Sequence, residues 1–150
     1  MSLDSDVKLL AGLPIFSSLD AEALKLIAFA AETRTFMAGD VLYRQGQLSS
    51  GGYVIVSGTA ALESSQNGGE AAKVVGPGGL LGELALMVAT KNPATAVARQ
   101  NLTVLKISRA LFLRTLAETP AGAQRLKGRL ASELQVFVDD LEKTRKSFLD

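Results

Sequence analysis

The chain has 150 residues, 47% of them apolar, and 16 Lys and Arg against 15 Asp and Glu. That fits one domain with a single sizeable core and is too apolar for intrinsic disorder. It has no Cys and no His, which excludes disulfides, thiolate nucleophiles, Cys- or His-based metal centres and the Ser-His-Asp and Cys-His hydrolases. A binding or regulatory domain is the expectation rather than an enzyme, since carboxylate pairs such as Asp139-Asp140 read as solvated charge.

The N-terminal stretch MSLDSDVKLLAGLPIF carries acids ahead of Lys8 and lacks the basic start and long apolar run of a signal peptide. No segment reaches the ~18–20 apolar residues of a membrane span, so a soluble, cytoplasmic protein is expected. Leu19 to Ala31 places Leu24, Ile27, Ala28 and Ala31 at helical spacing, with Ser18 or Asp20 as its cap. From Thr33 the pattern changes to short apolar pairs separated by Gly39-Asp40 and Gln45-Gly46, the signature of strands and turns. Gly51-Gly52 precedes another strand, YVIVSG, and Asn67-Gly68 marks a hairpin tip. The segments TAVARQ and LTVLKI add two more strands joined at Gln100-Asn101, and helical period returns at Ser108.

The predicted order is thus a helix, about eight short antiparallel strands, then helices. It predicts a mainly β fold with flanking helices: an antiparallel, jelly-roll-like β-roll over about 33–107, an N-terminal helix, and C-terminal helices over about 108–148 that end in a long one. All 150 residues are read as one domain.

Charge is uneven along the chain. Residues 1–75 hold five basic and eight acidic groups, and residues 76–150 hold eleven and seven. Between Arg99 and Arg129 lie seven bases and one acid, Glu118. Such a stretch can attract phosphates, but no aromatic residues alternate with the bases, and a solvated surface is the simpler reading.

The densest functional signal is GGLLGELAL (Gly78–Leu86), followed by Ala94-Thr95-Ala96-Val97. Glycines let a backbone turn sharply and approach a ligand. Gly82-Glu83 opening a short helix, about Leu84 to Ala89, would present backbone N–H groups to an anion. The Glu83 carboxylate would accept hydrogen bonds from sugar hydroxyls. Phosphate on the amides and ribose on Glu83 make a coherent pocket.

At this point GELALMVATKNPATAVA resembles the phosphate-binding cassette of the cyclic-nucleotide-binding domain family, of the catabolite-activator-protein type. The resemblance extends over nearly the whole chain, through LPIFSSLDAEALKLIA, AGDVLYRQGQ, GGYVIVSG and SRALFLRTL. It implies a cyclic AMP or cyclic GMP site at Gly82, Glu83, Leu84, Ala85, Asn92, Pro93, Ala94 and Thr95. Glu83 would take the ribose 2′-hydroxyl, and the Leu84 and Ala85 amides would face the cyclic phosphate. The family places an arginine three residues before the threonine that matches Thr95; here that position is Asn92.

Arginine offers a charged bidentate fork and asparagine one neutral amide. Its loss costs about 2–4 kcal/mol, on the order of 30- to 1000-fold in affinity. Asn92→Arg is then expected to return about 1.5–3 kcal/mol. Lys91, Lys73 and Arg99 are conceivable sources of replacement charge.

Near the C-terminus Leu130, Leu134, Phe137, Leu141 and Phe148 form a heptad-like seam. It would either join two copies as a homodimer or pack on the chain's own roll. No helix-turn-helix pattern follows it, so direct DNA binding is not expected. The overall expectation is a regulatory cyclic-nucleotide-binding-like domain with weakened ligand binding, without a resident cofactor or metal. The alternatives are a ligand-free dimerising module, or a sensor that works with an unidentified regulatory partner.

Overall fold

The computed structural model describes residues 3–17, 19–65 and 71–118. Helix α1 spans Leu3–Ala11 and helix α2 Ala21–Ala30, with a single 3-10 turn at Pro14–Phe16 between them. α1 adds to the expected elements. Leu10 is fully buried on its inner face, and Asp4 and Asp6 stand in the first turn, where negative charge suits the helix dipole. Asp20 caps α2, its Oδ1 accepting the Ala23 amide at 2.8 Å. Ala23, Leu24, Ile27 and Ala28 form the buried face of α2, which matches the 3.6-residue period of the sequence.

Eight strands follow: β1 (Glu32–Phe36), β2 (Val41–Tyr43), β3 (Gly51–Ser57), β4 (Ala60–Glu63), β5 (Ala71–Val75), β6 (Leu80–Leu81), β7 (Thr95–Ala98) and β8 (Leu102–Ser108). Helix α3 (Arg109–Ala117) comes next, capped by Ser108, whose Oγ accepts the Leu111 amide at 3.1 Å. The strands form two antiparallel four-stranded sheets, ordered β1-β8-β3-β6 and β2-β7-β4-β5. The architecture is the mainly β roll with flanking helices that the pattern predicted.

Strands adjacent in sequence often lie in different sheets. β7 and β8 look like a hairpin joined at Gln100-Asn101, yet β7 pairs with β2 and β4 while β8 pairs with β1 and β3. The link therefore crosses from one layer to the other. Gly51 and Gly52, expected just ahead of a strand, belong to β3 and pair with Ser108 and Ile107. A Cβ at Gly51 would run into the Ile107 carbonyl, so the pairing itself calls for glycine.

The central strands of the first sheet, β3 and β8, carry buried residues on both faces. Val54, Leu105 and Ile107 pack outward against Phe16, Ile27 and Phe112 of the helical layer. Phe16 and Phe112 meet edge to face, with ring centroids 5.7 Å apart. Tyr53, Ile55, Leu102 and Val104 face into the roll, where the second sheet presents Ala60, Ala96 and Ala98. This explains why β3 reads as a continuous apolar run rather than an alternating one.

Among the described residues no helix is long and apolar enough to cross a membrane. The turn expected at Asn67-Gly68, and the long C-terminal helix expected to carry the seam at Leu130, Leu134, Phe137 and Leu141, fall outside the described residues.

Candidate ligand-binding site

β5 ends the second sheet and β6 begins an edge of the first, so the Gly76–Gly79 loop carries the chain across the mouth of the roll. The loop is fastened to the core strand β3: the Gly78 amide donates to the Ile55 carbonyl at 2.8 Å, and the Ile55 amide to the Gly79 carbonyl at 2.9 Å. After β6 the chain turns at Gly82, where φ is +82°. That is the left-handed region in which a side chain is strained. Gly82 also packs on β3, since a Cβ there would lie 3.1 Å from the Gly51 carbonyl oxygen.

The short helix expected over about Leu84 to Ala89 is smaller than that, a 3-10 turn at Leu84–Leu86. The Leu86 amide donates to the Glu83 carbonyl, and the Met87 and Val88 amides both donate to Leu84. The Leu84 and Ala85 amides stand outside that ladder. Carbonyls of the turn and of the residues after it also accept from a side chain. Arg109 Nη1 donates to Ala85 O and Val88 O, each at 3.2 Å, and to Ser49 O at 3.1 Å. A guanidinium shared among three carbonyls ties the turn to the start of α3 and to the segment before β3. In the sequence Arg109 is one of the seven bases between Arg99 and Arg129. Its position directly after a Ser cap gave no sign of partners 21 to 60 residues away.

The segment after the turn is laced to the loop following β2. The Ser49 amide donates to Thr90 O at 2.9 Å, the Asn92 amide to Gln47 O at 2.8 Å, and the Gly46 amide to Asn92 O at 2.9 Å. Asn92 Nδ2 donates to the Arg44 carbonyl at 3.1 Å, so this side-chain amide braces the neighbouring loop. The Thr90–Ala94 segment, the turn at Gly82–Ala85 and residues of β2, β4, β5 and β6 line a cavity of about 290 Å³, near the lower end for small-molecule sites.

Gly82, Glu83, Leu84, Ala85, Asn92, Pro93 and Ala94 all line this cavity. Thr95 starts β7 outside the lining, and its Oγ1 accepts the Gln45 amide at 2.9 Å. Tyr43, Leu62, Val75 and Leu80 supply an apolar wall that no motif in the sequence marks. They read as ordinary strand residues, and only closure of the roll sets them around the glycine turn. Lys73 and Lys91 line the same cavity, whereas Arg99 does not. Tyr43 stacks on Tyr53 with centroids 5.7 Å apart. Burial, then the neighbouring Tyr53, pushes the Tyr43 phenol up to about 12.

The site's arrangement is an apolar slot with backbone amides, one carboxylate and two ammonium groups at its polar edge. The model of the cyclic nucleotide-binding domain matches residues 33–119, which contain every element of that slot. The chain belongs to the cyclic nucleotide-binding domain family. It is 30% identical over 139 residues to the cyclic AMP receptor protein of Thermus thermophilus, covering 91% of this chain and 63% of that relative. Among solved structures, it resembles a cyclic nucleotide-binding-like protein from Brucella abortus at 39% identity and a TM-score of 0.70, covering 76% of this chain and 99% of that one. It also resembles the regulatory domain of Toxoplasma gondii PKA, crystallised with cAMP, at 27% identity and a TM-score of 0.68, covering 87% and 50%. The chain spans less than two thirds of the length of the first curated relatives it matches.

Proposed function

We propose that this domain is a non-catalytic, cytoplasmic sensor that binds a cyclic nucleotide weakly. The ligand would lie in the cavity behind the Gly82 turn, its ribose on Glu83 and its phosphate toward the Leu84 and Ala85 amides. Pro93 and Ala94 would close the same wall, and Thr95 would hold the wall's far end through the Gln45 amide. Family membership supports the ligand class, and the cavity's mix of apolar wall and polar edge fits a nucleoside phosphate.

Asn92 carries the proposed weakness. It is neutral, it stands where the resemblance expects arginine, and its amide already serves the Arg44 carbonyl. A calorimetric titration with cyclic AMP and cyclic GMP tests the reading. Dissociation constants above about 10 μM are expected, given about 2–4 kcal/mol lost with the arginine; tighter binding overturns the weakening. Asn92→Arg then gains less than side-chain chemistry alone would give, because it forfeits the Arg44 brace. We expect a net gain of about 1–2 kcal/mol.

The seam at Leu130, Leu134, Phe137 and Leu141 supports self-association of the sensor. A dimer in sedimentation at tens of micromolar that Leu134→Glu dissociates is the expected outcome. A monomer unchanged by that substitution counts against it.

A further inference from the structure

Two lysines reach the cavity from separate elements. Lys73 stands on β5, the edge strand of the second sheet, two residues before Val75, so both side chains share one face of the strand. Val75 and Leu62, the register partner of Lys73, line the same cavity. Lys91 comes from the segment after the 3-10 turn, where its bridge to Leu48 and the flanking hydrogen bonds of Thr90 and Asn92 hold the backbone. Among the described residues an ion pair joins Arg34 and Glu32 on β1, away from this lining, and neither lysine is paired there with a described carboxylate. Among the described residues Glu83 is the carboxylate on the lining.

We infer that Lys73 and Lys91 together hold the anionic group of a bound nucleotide, replacing at two points the charge that position 92 lacks. The inference rests on the reading of this cavity as a nucleotide site. It also says what that site discriminates. A guanidinium fork matches two oxygens of one phosphate in a fixed plane, whereas an ammonium group is a compact charge with freely oriented donors. Two such charges impose no phosphodiester geometry. They attract a phosphomonoester, which takes a second negative charge near neutral pH, more than a cyclic phosphodiester, which carries one. The cavity therefore accepts open nucleoside 5′-monophosphates alongside cyclic ones, with affinities of the same order.

The test is calorimetry with cyclic AMP and with 5′-AMP, at low and high salt, on the wild-type chain, Lys73→Met, Lys91→Met and the double variant. Both lysines are solvent-exposed, so the variants fold, and a thermal melt alongside confirms it. Each single change should weaken cyclic AMP about 2- to 5-fold, as for exposed charge pairs. The double change should lower 5′-AMP affinity more than cyclic AMP affinity and flatten the salt dependence of both. Wild-type binding of cyclic AMP that the double variant keeps within twofold overturns the lysine assignment and leaves the nucleotide site standing. Rejection of 5′-AMP by a wild-type protein that binds cyclic AMP overturns the relaxed discrimination. Binding of neither nucleotide at millimolar concentration overturns the site itself.

Discussion

The two faces of the β1-β8-β3-β6 sheet are finished with different materials. Toward the helices it meets Phe16, Ile27 and Phe112, all essentially without exposure. Toward the second sheet it meets Ala60, Ala96 and Ala98. The helical side fills its volume with large side chains, and the roll side leaves volume at its mouth, between Tyr43, Leu62 and Val75. Close packing on one face gives stability; incomplete packing on the other gives a site. The same strand, β3, serves both, with Val54 on one side and Tyr53 and Ile55 on the other.

This contrast breaks most sharply at Phe112. Truncation to Ala removes the edge-to-face partner of Phe16 and leaves a void in the helical layer. It should cost about 3–5 kcal/mol in urea unfolding. The fraction still folded should bind ligand as before, because no pocket residue changes. Leu62→Ala, in the roll wall and only half-buried, should do the opposite: a smaller loss of stability and a measurable loss of binding.

Arg109 joins the two regions, and its replacement should separate them. Arg109→Met keeps much of the aliphatic stem but deserts the Ser49, Ala85 and Val88 carbonyls. Charge-assisted hydrogen bonds of this kind contribute about 1.5–3 kcal/mol. Amide hydrogen exchange should speed up over residues 83–88 while β3 and β8 keep their protection. Uniform loss of protection throughout the sheet would mean that Arg109 supports the core rather than the turn. Gly82→Ala is next in size, at about 1–2 kcal/mol for a side chain held at positive φ, read as a lowered urea midpoint together with weaker nucleotide binding.

These elements were unequally legible in the sequence. Local chemistry was readable: the Asp20 cap, the return of helical period at Ser108, and the glycine turn with Glu83. Strand existence was readable too, because short apolar runs between turn residues have few other uses. Partner choice was not. β7 and β8 are separated by a turn-like dipeptide, and only the roll's long-range pairing sends them to different layers. Asn92 could be placed by its spacing from Glu83 and Thr95, yet its bond to the Arg44 carbonyl depends on a loop 48 residues earlier. The apolar wall of the cavity and the clamp at Arg109 stayed hidden for the same reason. α1 escaped because acids at Asp4 and Asp6 dilute its apolar pattern, although they suit a helix start.

The smallest expected effect probes the border between the two regions, where Tyr43 stacks on Tyr53. The Tyr43 phenol is raised to about 12 in the folded chain, against about 10 in an unfolded one. The unfolded state therefore loses its proton first as pH climbs. In the interval from about 10 to about 12 the folded state binds more protons, so stability falls with rising pH; below about 10 the contribution is fully present. Two units correspond to at most about 2.7 kcal/mol, and partial access to solvent reduces this to about 1–2 kcal/mol. Tyr43→Phe has no proton to lose, so its unfolding free energy should fall less steeply across that interval. Some slope should survive, because burial raises Tyr53 as well. Identical alkaline profiles for the wild-type and Tyr43→Phe chains would mean that the phenol reaches water freely, and that the cavity wall at Tyr43 is open rather than packed.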